Sequence, residues 1–210
     1  MDSPYLSRLA RGIEPYVPGE QPTSDGLIKL NTNENPYPPS PRVEEALRGR
    51  AARLRLYPEI DARTLREIIA RREGLSPEQV FVGNGSDEVL SFCFPAFFDP
   101  EEPVRFPAVT YSFYRVYAKL FGIPYEEVPM LPGFAVDVQG MTAGRGGAIL
   151  PNPNAPTSLE LPLAVIEDMA RAQQEKGRVL VVDEAYVAFG QEPSAATLVP
   201  QYDNLLVTRT

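Results

Sequence analysis

The 210-residue sequence contains no histidine and a single cysteine, Cys93. Without histidine, a histidine-based triad and the usual zinc sites are excluded, the commonest general base is missing, and we expect no metal site. A lone cysteine cannot form a disulfide within the chain. Because Cys93 lies between Phe92 and Phe94, we interpret it as a buried thiol of a cytoplasmic protein.

Positive charge is also scarce, since the net charge is −8 and only three of the 20 basic residues are lysines: Lys29, Lys119 and Lys176. No basic cluster could follow a phosphate backbone, so nucleic acid is not an expected partner. No apolar run approaches the length of a membrane span, and residues 1–4 lack the features of a signal peptide. With 43% hydrophobic and 23% charged residues, the composition is that of an ordinary globular protein.

Residues 1–40 are rich in proline, glycine, asparagine and serine, which predicts an extended arm that lies on another part of the protein. A linker or a disordered tail is the alternative. Leu27, Ile28 and Leu30 favour a short strand within the arm. In residues 41–210 strands alternate with helices, which predicts one α/β domain with a mostly parallel sheet and right-handed crossovers.

The hydrophobic pattern places the elements of this domain. Strands are expected at 79–82, 103–106, 125–128, 148–150, 179–182 and 204–208. Helices are expected from Pro41 onward, over 65–72, from Ser86 to a stop or bend at Pro95, over 111–121 and around 163–170. The glycine-rich segment 130–145 is expected to be a loop or a hairpin.

The apolar run 179–182 is followed directly by Asp183 and, three residues later, by Tyr186. Such a run predicts a strand buried on both faces, and ligands of parallel sheets bind beyond the carboxyl ends of such strands. There an acid could pair with a protonated ring nitrogen and a phenol could hydrogen-bond a ring oxygen, which is what pyridoxal phosphate requires. The alternative is that Asp183 only caps the next segment.

Residues 83–87, Gly-Asn-Gly-Ser-Asp, connect a predicted strand to a predicted helix. The glycines let the backbone approach an anion closely, and the first N–H groups of the helix point towards it. The segment is neither the dinucleotide fingerprint nor a Walker loop. A simple capped helix start is the alternative, and an anion site requires Asp87 to turn its carboxylate away while its amide binds.

Two further strand ends carry aromatic or polar residues. Tyr111 could stack on a flat ring, whereas Tyr114 and Tyr117 are expected to fill the core. Asn152 and Asn154 could donate amide hydrogens, although turn formation alone could explain both. Together the strand ends would offer a phosphate cradle, a stacking ring, amide donors, an acid and a phenol, a set suited to a phosphorylated aromatic ring.

As a set these residues resemble the fold-type I pyridoxal phosphate-dependent aminotransferases, and within them most closely the histidinol-phosphate aminotransferase family. The resembling motifs follow the family's order along the whole chain: 30–38 (LNTNENPYP), 57–58 (YP), 83–88 (GNGSDE), 111–114 (YSFY), 183–186 (DEAY) and 204–210 (NLLVTRT). The resemblance implies the large domain of that fold, a mostly parallel sheet flanked by helices. Residues 1–40 would form its arm, and residues 41–210 an incomplete domain that binds pyridoxal 5′-phosphate.

The resemblance also implies a role for each motif residue. The cofactor-binding residues would be Gly85, Ser86 and Asp87 through backbone amides to the phosphate, Tyr111 on the pyridine ring, Asp183 at the ring nitrogen, Tyr186 at the phenolic oxygen, and Tyr57, which would reach the phosphate of the partner subunit in a homodimer. The residues near the substrate would be Tyr16, Asn33, Glu34 and Asn35.

The sequence departs from the family in two places. In the family's Pro-Asn-Asn-Pro-Thr-Gly segment the second asparagine contacts the cofactor oxygen, but here Ala155 stands in that place and Ser158 replaces the glycine. Asn154, one residue earlier, is the candidate to serve instead. In the family the lysine that forms the Schiff base follows the position of Thr210, as does the small C-terminal domain. We therefore expect no catalytic residue among these 210 and no activity of this chain alone.

For the intact protein the resemblance implies amino transfer between histidinol phosphate and 2-oxoglutarate, a step of L-histidine biosynthesis that uses a small phosphorylated substrate and neither a membrane nor a nucleic acid. One alternative is another fold-type I enzyme, such as an aromatic aminotransferase or a threonine-phosphate decarboxylase. The other is a natively short, non-catalytic relative that binds or dimerises. The coding sequence beyond residue 210 would separate this last possibility from the rest.

Overall fold

The computed structural model describes residues 5–12 and 28–210. By their internal contacts these residues form two units, one of residues 28–62 and one of residues 5–12 with 63–210. The α-helices are α1 (Arg8–Arg11), α2 (Pro41–Arg48), α3 (Arg63–Glu73), α4 (Gly85–Phe97), α5 (Phe113–Phe121), α6 (Val138–Thr142) and α7 (Leu163–Gln174). None of the helices in the described residues is long and apolar enough to cross a membrane.

The larger unit contains a five-stranded sheet. Its strands are β1 (Val104–Pro107), β2 (Tyr125–Val128), β3 (Ala148–Pro151), β4 (Leu180–Asp183) and β5 (Leu205–Thr208). Their order in the sheet is β2-β1-β3-β4-β5, and every neighbouring pair is parallel. The predicted α/β architecture with a parallel sheet flanked by helices is therefore confirmed, and the five strands coincide with predicted segments.

The core lies on both faces of this sheet, because successive side chains of a strand point to opposite sides. Leu150 and Val182 pack on one face with buried residues of α6 and α7. Ile149 and Val181 pack on the other face with buried residues of α4 and α5. All four side chains are fully buried, and for Val181 and Val182 the apolar run 179–182 predicted this.

Two local predictions are wrong, and a third is right only in part. Residues 79–82 are not a strand: Gln79 ends a short 3-10 helix, Pro77–Gln79, and no strand of the described residues pairs with residues 80–82. The Phe81 side chain instead packs edge-on against Phe92. Leu27 lies outside the described residues, but residues 28–30 are not a strand either, and Ile28 and Leu30 are exposed. The segment 130–145 forms a tight antiparallel bridge between Leu131 and Ala135, as a hairpin would, but it also contains the helix α6, whose N-terminus is capped by the Asp137 side chain. Burial and pairing, which local composition does not report, decided the first two cases.

The close fit of the chain at the start of β3 gives a first testable prediction. A Cβ atom at Gly147 would lie 2.7 Å from Phe98 Cε1 and 2.9 Å from the Val179 carbonyl oxygen. Gly147→Ala is therefore expected to lower the free energy of unfolding by about 2 kcal/mol, because overpacking a filled core displaces its neighbours. Urea denaturation measures the change.

The control for this measurement is Gly12→Ala, where a Cβ would meet nothing nearer than 3.6 Å. Its effect on the free energy of unfolding is expected to stay below about 0.5 kcal/mol. A Gly147→Ala chain as stable as the control would contradict the packing described for β3.

Candidate functional site

The carboxyl ends of the parallel strands meet at one edge of the sheet, and the predicted site residues follow them. β4 ends at Asp183, which lies level with Pro151 at the end of β3 and with Thr208 at the end of β5. The connection after β1 leads to Tyr111, and the connection after β3 leads to Asn154. Open parallel sheets bind their ligands at this edge.

Asp183 is buried, with 4% of its surface exposed, and its carboxylate is held from three directions. Its Oδ2 accepts a hydrogen bond of 2.9 Å from the Tyr114 hydroxyl. Its Oδ1 accepts hydrogen bonds from the Thr208 hydroxyl at 3.2 Å and from the Ala185 amide at 3.3 Å. The carboxylate is therefore oriented by α5, by β5 and by the turn after β4.

Burial raises the pKa of Asp183 above its ordinary value, although the hydrogen bonds from Tyr114, Thr208 and Ala185 oppose this shift. The nearby carboxylate of Asp87 adds to the increase. Burial and the charge of Asp183 hold the pKa of Tyr114 well above its usual range, so its hydroxyl remains a donor. No basic side chain of the described residues forms an ion pair with Asp183, and a cation bound here would therefore favour the ionised carboxylate.

Helix α4 begins at the same edge of the sheet. It starts at Gly85, whose φ of 82° lies in the left-handed region that glycine tolerates. No side chain of the residues that the structure describes caps this end, so the first amides, including those of Ser86 and Asp87, have no acceptor within the helix. A Cβ at Gly85 would lie 3.6 Å from Thr210 Oγ1, which puts the helix start beside the end of β5. These amides are suited to an anion.

The carboxylate of Asp87 is turned towards two phenols, one from the loop before α5 and one from α5 itself. Its Oδ1 accepts hydrogen bonds from the hydroxyls of Tyr111 at 2.7 Å and Tyr117 at 3.3 Å. The Tyr117 hydroxyl also lies 3.1 Å from the Asp87 carbonyl oxygen. This is the arrangement that an anion site at the start of α4 required, because it occupies the carboxylate while the Asp87 amide stays with the helix end.

The ring of Tyr111 is half-buried and fixed in place. Its hydroxyl is held by Asp87, its ring lies nearly parallel to that of Phe113 at 5.5 Å, and the ring of Tyr114 meets it edge-on at 5.6 Å. A ring held in this way can cover a flat ligand without losing further conformational freedom.

Asn154 is buried in the connection after β3 and joins it to the connection after β1. Its Nδ2 donates hydrogen bonds of 3.0 Å to the Val109 carbonyl and to the Thr157 hydroxyl. Its Oδ1 is buried and has no hydrogen-bond partner among the described residues, and the same holds for Thr110 Oγ1. Native proteins rarely leave such atoms unpaired, so this part of the edge is suited to a polar ligand group.

The other predicted site residues are placed as follows. Tyr186 is half-buried at the start of a short 3-10 helix, Val187–Phe189, in the larger unit. Tyr57 and the segment 33–35 belong to the smaller unit, where Tyr57 is exposed and Glu34 pairs with Lys29 at 2.5 Å. Tyr16 lies outside the described residues.

Three residues of the site were not predicted to act there. Tyr114 and Tyr117 are buried, as expected, but their hydroxyls hold Asp183 and Asp87, and Thr208 also bonds Asp183. A signal was present, since tyrosines 111, 114 and 117 recur every three residues in the segment predicted to be a helix over 111–121. A buried phenol usually needs a hydrogen-bond partner, which points to an acceptor nearby.

Comparison with known families agrees with this fold. The family described as aminotransferase class I and II matches residues 25–210, and the chain belongs to that family. Over 210 residues it is 52% identical to the histidinol-phosphate aminotransferase of Acinetobacter baumannii, an alignment that covers 98% of this chain and 57% of that protein. The chain thus spans little more than half the length of the curated relatives it matches.

Solved aminotransferase structures share the fold. One is the histidinol-phosphate aminotransferase of Sinorhizobium meliloti, solved in complex with pyridoxal-5′-phosphate, which superposes with a TM-score of 0.84 at 22% sequence identity. The alignment covers all of this chain and 59% of that protein. A mutant aspartate aminotransferase of Thermus thermophilus superposes with a TM-score of 0.81 at 26% sequence identity. That alignment covers 99% of this chain and 58% of the Thermus protein.

Proposed function

We propose that this chain is the cofactor-binding large domain of a pyridoxal phosphate-dependent aminotransferase that exchanges an amino group between histidinol phosphate and 2-oxoglutarate. The observation that carries the proposal is the 52% identity to a histidinol-phosphate aminotransferase over the whole chain. The buried carboxylate at the end of β4, beside a helix start with free amides, supports the choice of cofactor.

The residues at the carboxyl-end edge fit a phosphorylated pyridine. The amides of Gly85, Ser86 and Asp87 would bind the phosphate, and the ring of Tyr111 would cover one face of the pyridine. Tyr186 would donate a hydrogen bond to the phenolic oxygen. The Asn154 amide already donates to the Val109 carbonyl and the Thr157 hydroxyl, so it would not donate to the cofactor oxygen. Its Oδ1 has no partner among the described residues and would offer an acceptor to a polar group of the ligand.

The central task belongs to Asp183. Pyridoxal phosphate, when bound, supplies a protonated ring that withdraws electrons from the carbon carrying the transferred amino group. The Asp183 carboxylate would hold the proton on the ring nitrogen, because a buried anion favours the charged form of a neighbouring base. Its burial keeps water away, which strengthens this ion pair.

We assign no proton-transfer role to the lysines of these 210 residues. Lys176 donates to the carbonyl oxygens of Thr142 and Gly144, away from the carboxyl-end edge. Lys119 is an exposed residue near the end of α5, and Lys29 is paired with Glu34 in the smaller unit. The amine that removes and returns the substrate proton would come from the lysine that the family carries beyond this point.

We further propose a cytoplasmic homodimer in which Tyr57 reaches the phosphate bound by the partner subunit. The exposed phenol of Tyr57 suits that role. Tyr16, Asn33, Glu34 and Asn35 would lie near the substrate, and the arm of residues 1–40 and the domain of residues 41–210 remain the proposed division of the chain.

The proposed activity is tested on the protein translated from the same reading frame continued past codon 210. With pyridoxal phosphate and 2-oxoglutarate present, histidinol phosphate is expected to yield glutamate, while an aromatic amino acid reacts more slowly. The 210-residue chain alone, assayed in parallel, is expected to form no glutamate.

Other outcomes would contradict the proposal in distinct ways. Faster turnover of an aromatic amino acid, or release of carbon dioxide from threonine phosphate, would assign the protein to another enzyme of the same fold. A stop codon directly after residue 210 would favour a non-catalytic relative.

A further inference from the structure

Tyr114 is the feature that the proposed cofactor site leaves unexplained. It lies in α5, 69 positions before Asp183 in the sequence, and its side chain is completely buried. Its ring is fixed between the rings of Phe106 at 5.9 Å and Tyr111 at 5.6 Å. A phenylalanine would fill the same volume, so the hydroxyl serves the carboxylate to which it donates.

The hydrogen bonds of Asp183 leave one acceptor position open. A carboxylate offers about four such positions, two on each oxygen. Oδ1 accepts from Thr208 and from the Ala185 amide, whereas Oδ2 accepts from Tyr114. The remaining position is therefore on Oδ2, the oxygen that Tyr114 holds.

We propose that Tyr114 is a positioning residue for Asp183, whose hydroxyl fixes Oδ2 so that its remaining acceptor position receives the N–H of the cofactor's pyridine ring. The inference rests on the proposed function, because it assumes a pyridine cofactor at this edge of the sheet. It adds a residue that acts through Asp183 and makes no contact with the substrate.

The charged and titratable groups around Asp183 determine the direction of the expected pH effect. Asp87 and Cys93 of α4 and the phenols of Tyr111, Tyr114 and Tyr117 influence it. Burial raises the pKa of Cys93 to about 11, and the pKa of each phenol lies above its usual value, so these groups are neutral in the working range. Asp87 is the remaining carboxylate, and it raises the pKa of Asp183.

Loss of the Tyr114 hydroxyl removes the hydrogen bond that most favours the ionised form of Asp183. The pKa of Asp183 then rises further. Since the ring N–H pairs with the carboxylate, cofactor binding decreases as the pH falls through this pKa, and Tyr114→Phe moves that decrease to higher pH.

The test compares the 210-residue chain with its Tyr114→Phe variant. Equilibrium dialysis measures binding of pyridoxal phosphate across pH, and NMR of cofactor labelled with nitrogen-15 in the ring reports protonation of that nitrogen. Tyr114→Phe is expected to bind pyridoxal phosphate about tenfold more weakly near neutral pH, because a hydrogen bond to a charged group contributes about that much to binding. The protonated fraction of the bound ring nitrogen is expected to be lower than in the wild type.

The matched control is Tyr202→Phe. Tyr202 is also a buried phenol that donates to a carboxylate, Glu167 Oε1 at 2.8 Å, but it packs in the core on the α7 side of the sheet. Its loss is expected to leave cofactor affinity, the pH profile and the nitrogen-15 shift unchanged. A double substitution adds a second check, because Tyr114→Phe should have little further effect on affinity in an Asp183→Asn background.

The outcomes separate this inference from the proposed function. A wild-type chain that does not bind pyridoxal phosphate would contradict the proposed function, and the inference with it. Binding by the wild type together with an identical affinity, pH profile and nitrogen-15 shift in Tyr114→Phe would overturn the inference alone.

Thr208→Val covers the case in which Tyr114→Phe does not fold. It removes the hydroxyl that holds Oδ1 at 3.2 Å, and it is expected to shift the pH profile in the same direction by a smaller amount. If Tyr114→Phe does not fold and Thr208→Val leaves the profile unmoved, the inference is overturned as well.

Discussion

Asp183→Asn is expected to lower the affinity of the chain for pyridoxal phosphate by about a hundredfold. An amide carries no charge, so the protonated ring nitrogen would be buried without its anion, and loss of one partner of a buried charge pair costs about 2–5 kcal/mol in binding. The fold is expected to survive, because the hydroxyls of Tyr114 and Thr208 can accept as well as donate hydrogen bonds and would pair with the amide. In the protein translated from the reading frame continued past codon 210, Asp183→Asn is expected to abolish turnover of histidinol phosphate.

The measurements are equilibrium dialysis for affinity and urea denaturation for stability. Asp203→Asn is the control, because Asp203 is exposed and its replacement changes the net charge equally. The affinity of the control is expected to equal that of the wild type. Normal cofactor binding by Asp183→Asn would refute the role given to this carboxylate.

The same variant tests the electrostatics of the site without cofactor. Burial raises the pKa of Asp183, so the folded chain binds this proton more tightly than the unfolded chain. Its contribution to stability is therefore largest at acid pH and is lost as the pH rises from the unfolded value, about 4, through the raised folded value. Asparagine does not titrate, so the Asp183→Asn chain does not lose this stability. As the pH rises through that range, the free energy of unfolding of the variant is therefore expected to increase relative to that of the wild type.

Glu184→Ala is expected to lower the free energy of unfolding by about 3 kcal/mol. The side chain of Glu184 is almost completely buried, and its two oxygens accept hydrogen bonds from the Ala195 amide at 2.6 Å, the Ser194 hydroxyl at 2.6 Å and Arg209 Nε at 3.1 Å. The same guanidinium reaches Glu73 of α3 at 2.8 Å. Alanine would leave a buried amide and a half-buried cation short of an acceptor.

Urea denaturation again provides the measurement, with Asp168→Ala as the matched control. Asp168 pairs with Arg171 at 3.0 Å on the exposed face of α7, and exposed pairs contribute at most about 1 kcal/mol. A cycle with Arg209→Ala isolates the coupling between Glu184 and Arg209. Equal losses in Glu184→Ala and Asp168→Ala would show that the buried network does not hold β4 to β5.

Local pattern was sufficient for most of the fold. The run at residues 179–182 predicted β4, and Pro41 predicted the start of α2, which begins at that residue. Such features act within a few residues, through backbone conformation and side-chain burial. The prediction failed at residues 79–82, where the described part of the chain offers the apolar segment no strand with which to pair.

By itself, the sequence determined the parallel α/β architecture and the identity of the residues at the strand ends, including Asp183. Only the tertiary structure decided how those residues are held: it brings Tyr114 to Asp183 and turns the carboxylate of Asp87 towards Tyr111 and Tyr117. The physical reason is that a buried donor or acceptor must be paired, and its partner is chosen by packing between elements distant in the sequence. The chain specifies which side chains reach this edge, and the packing of α4 and α5 on the sheet sets the direction in which each one points.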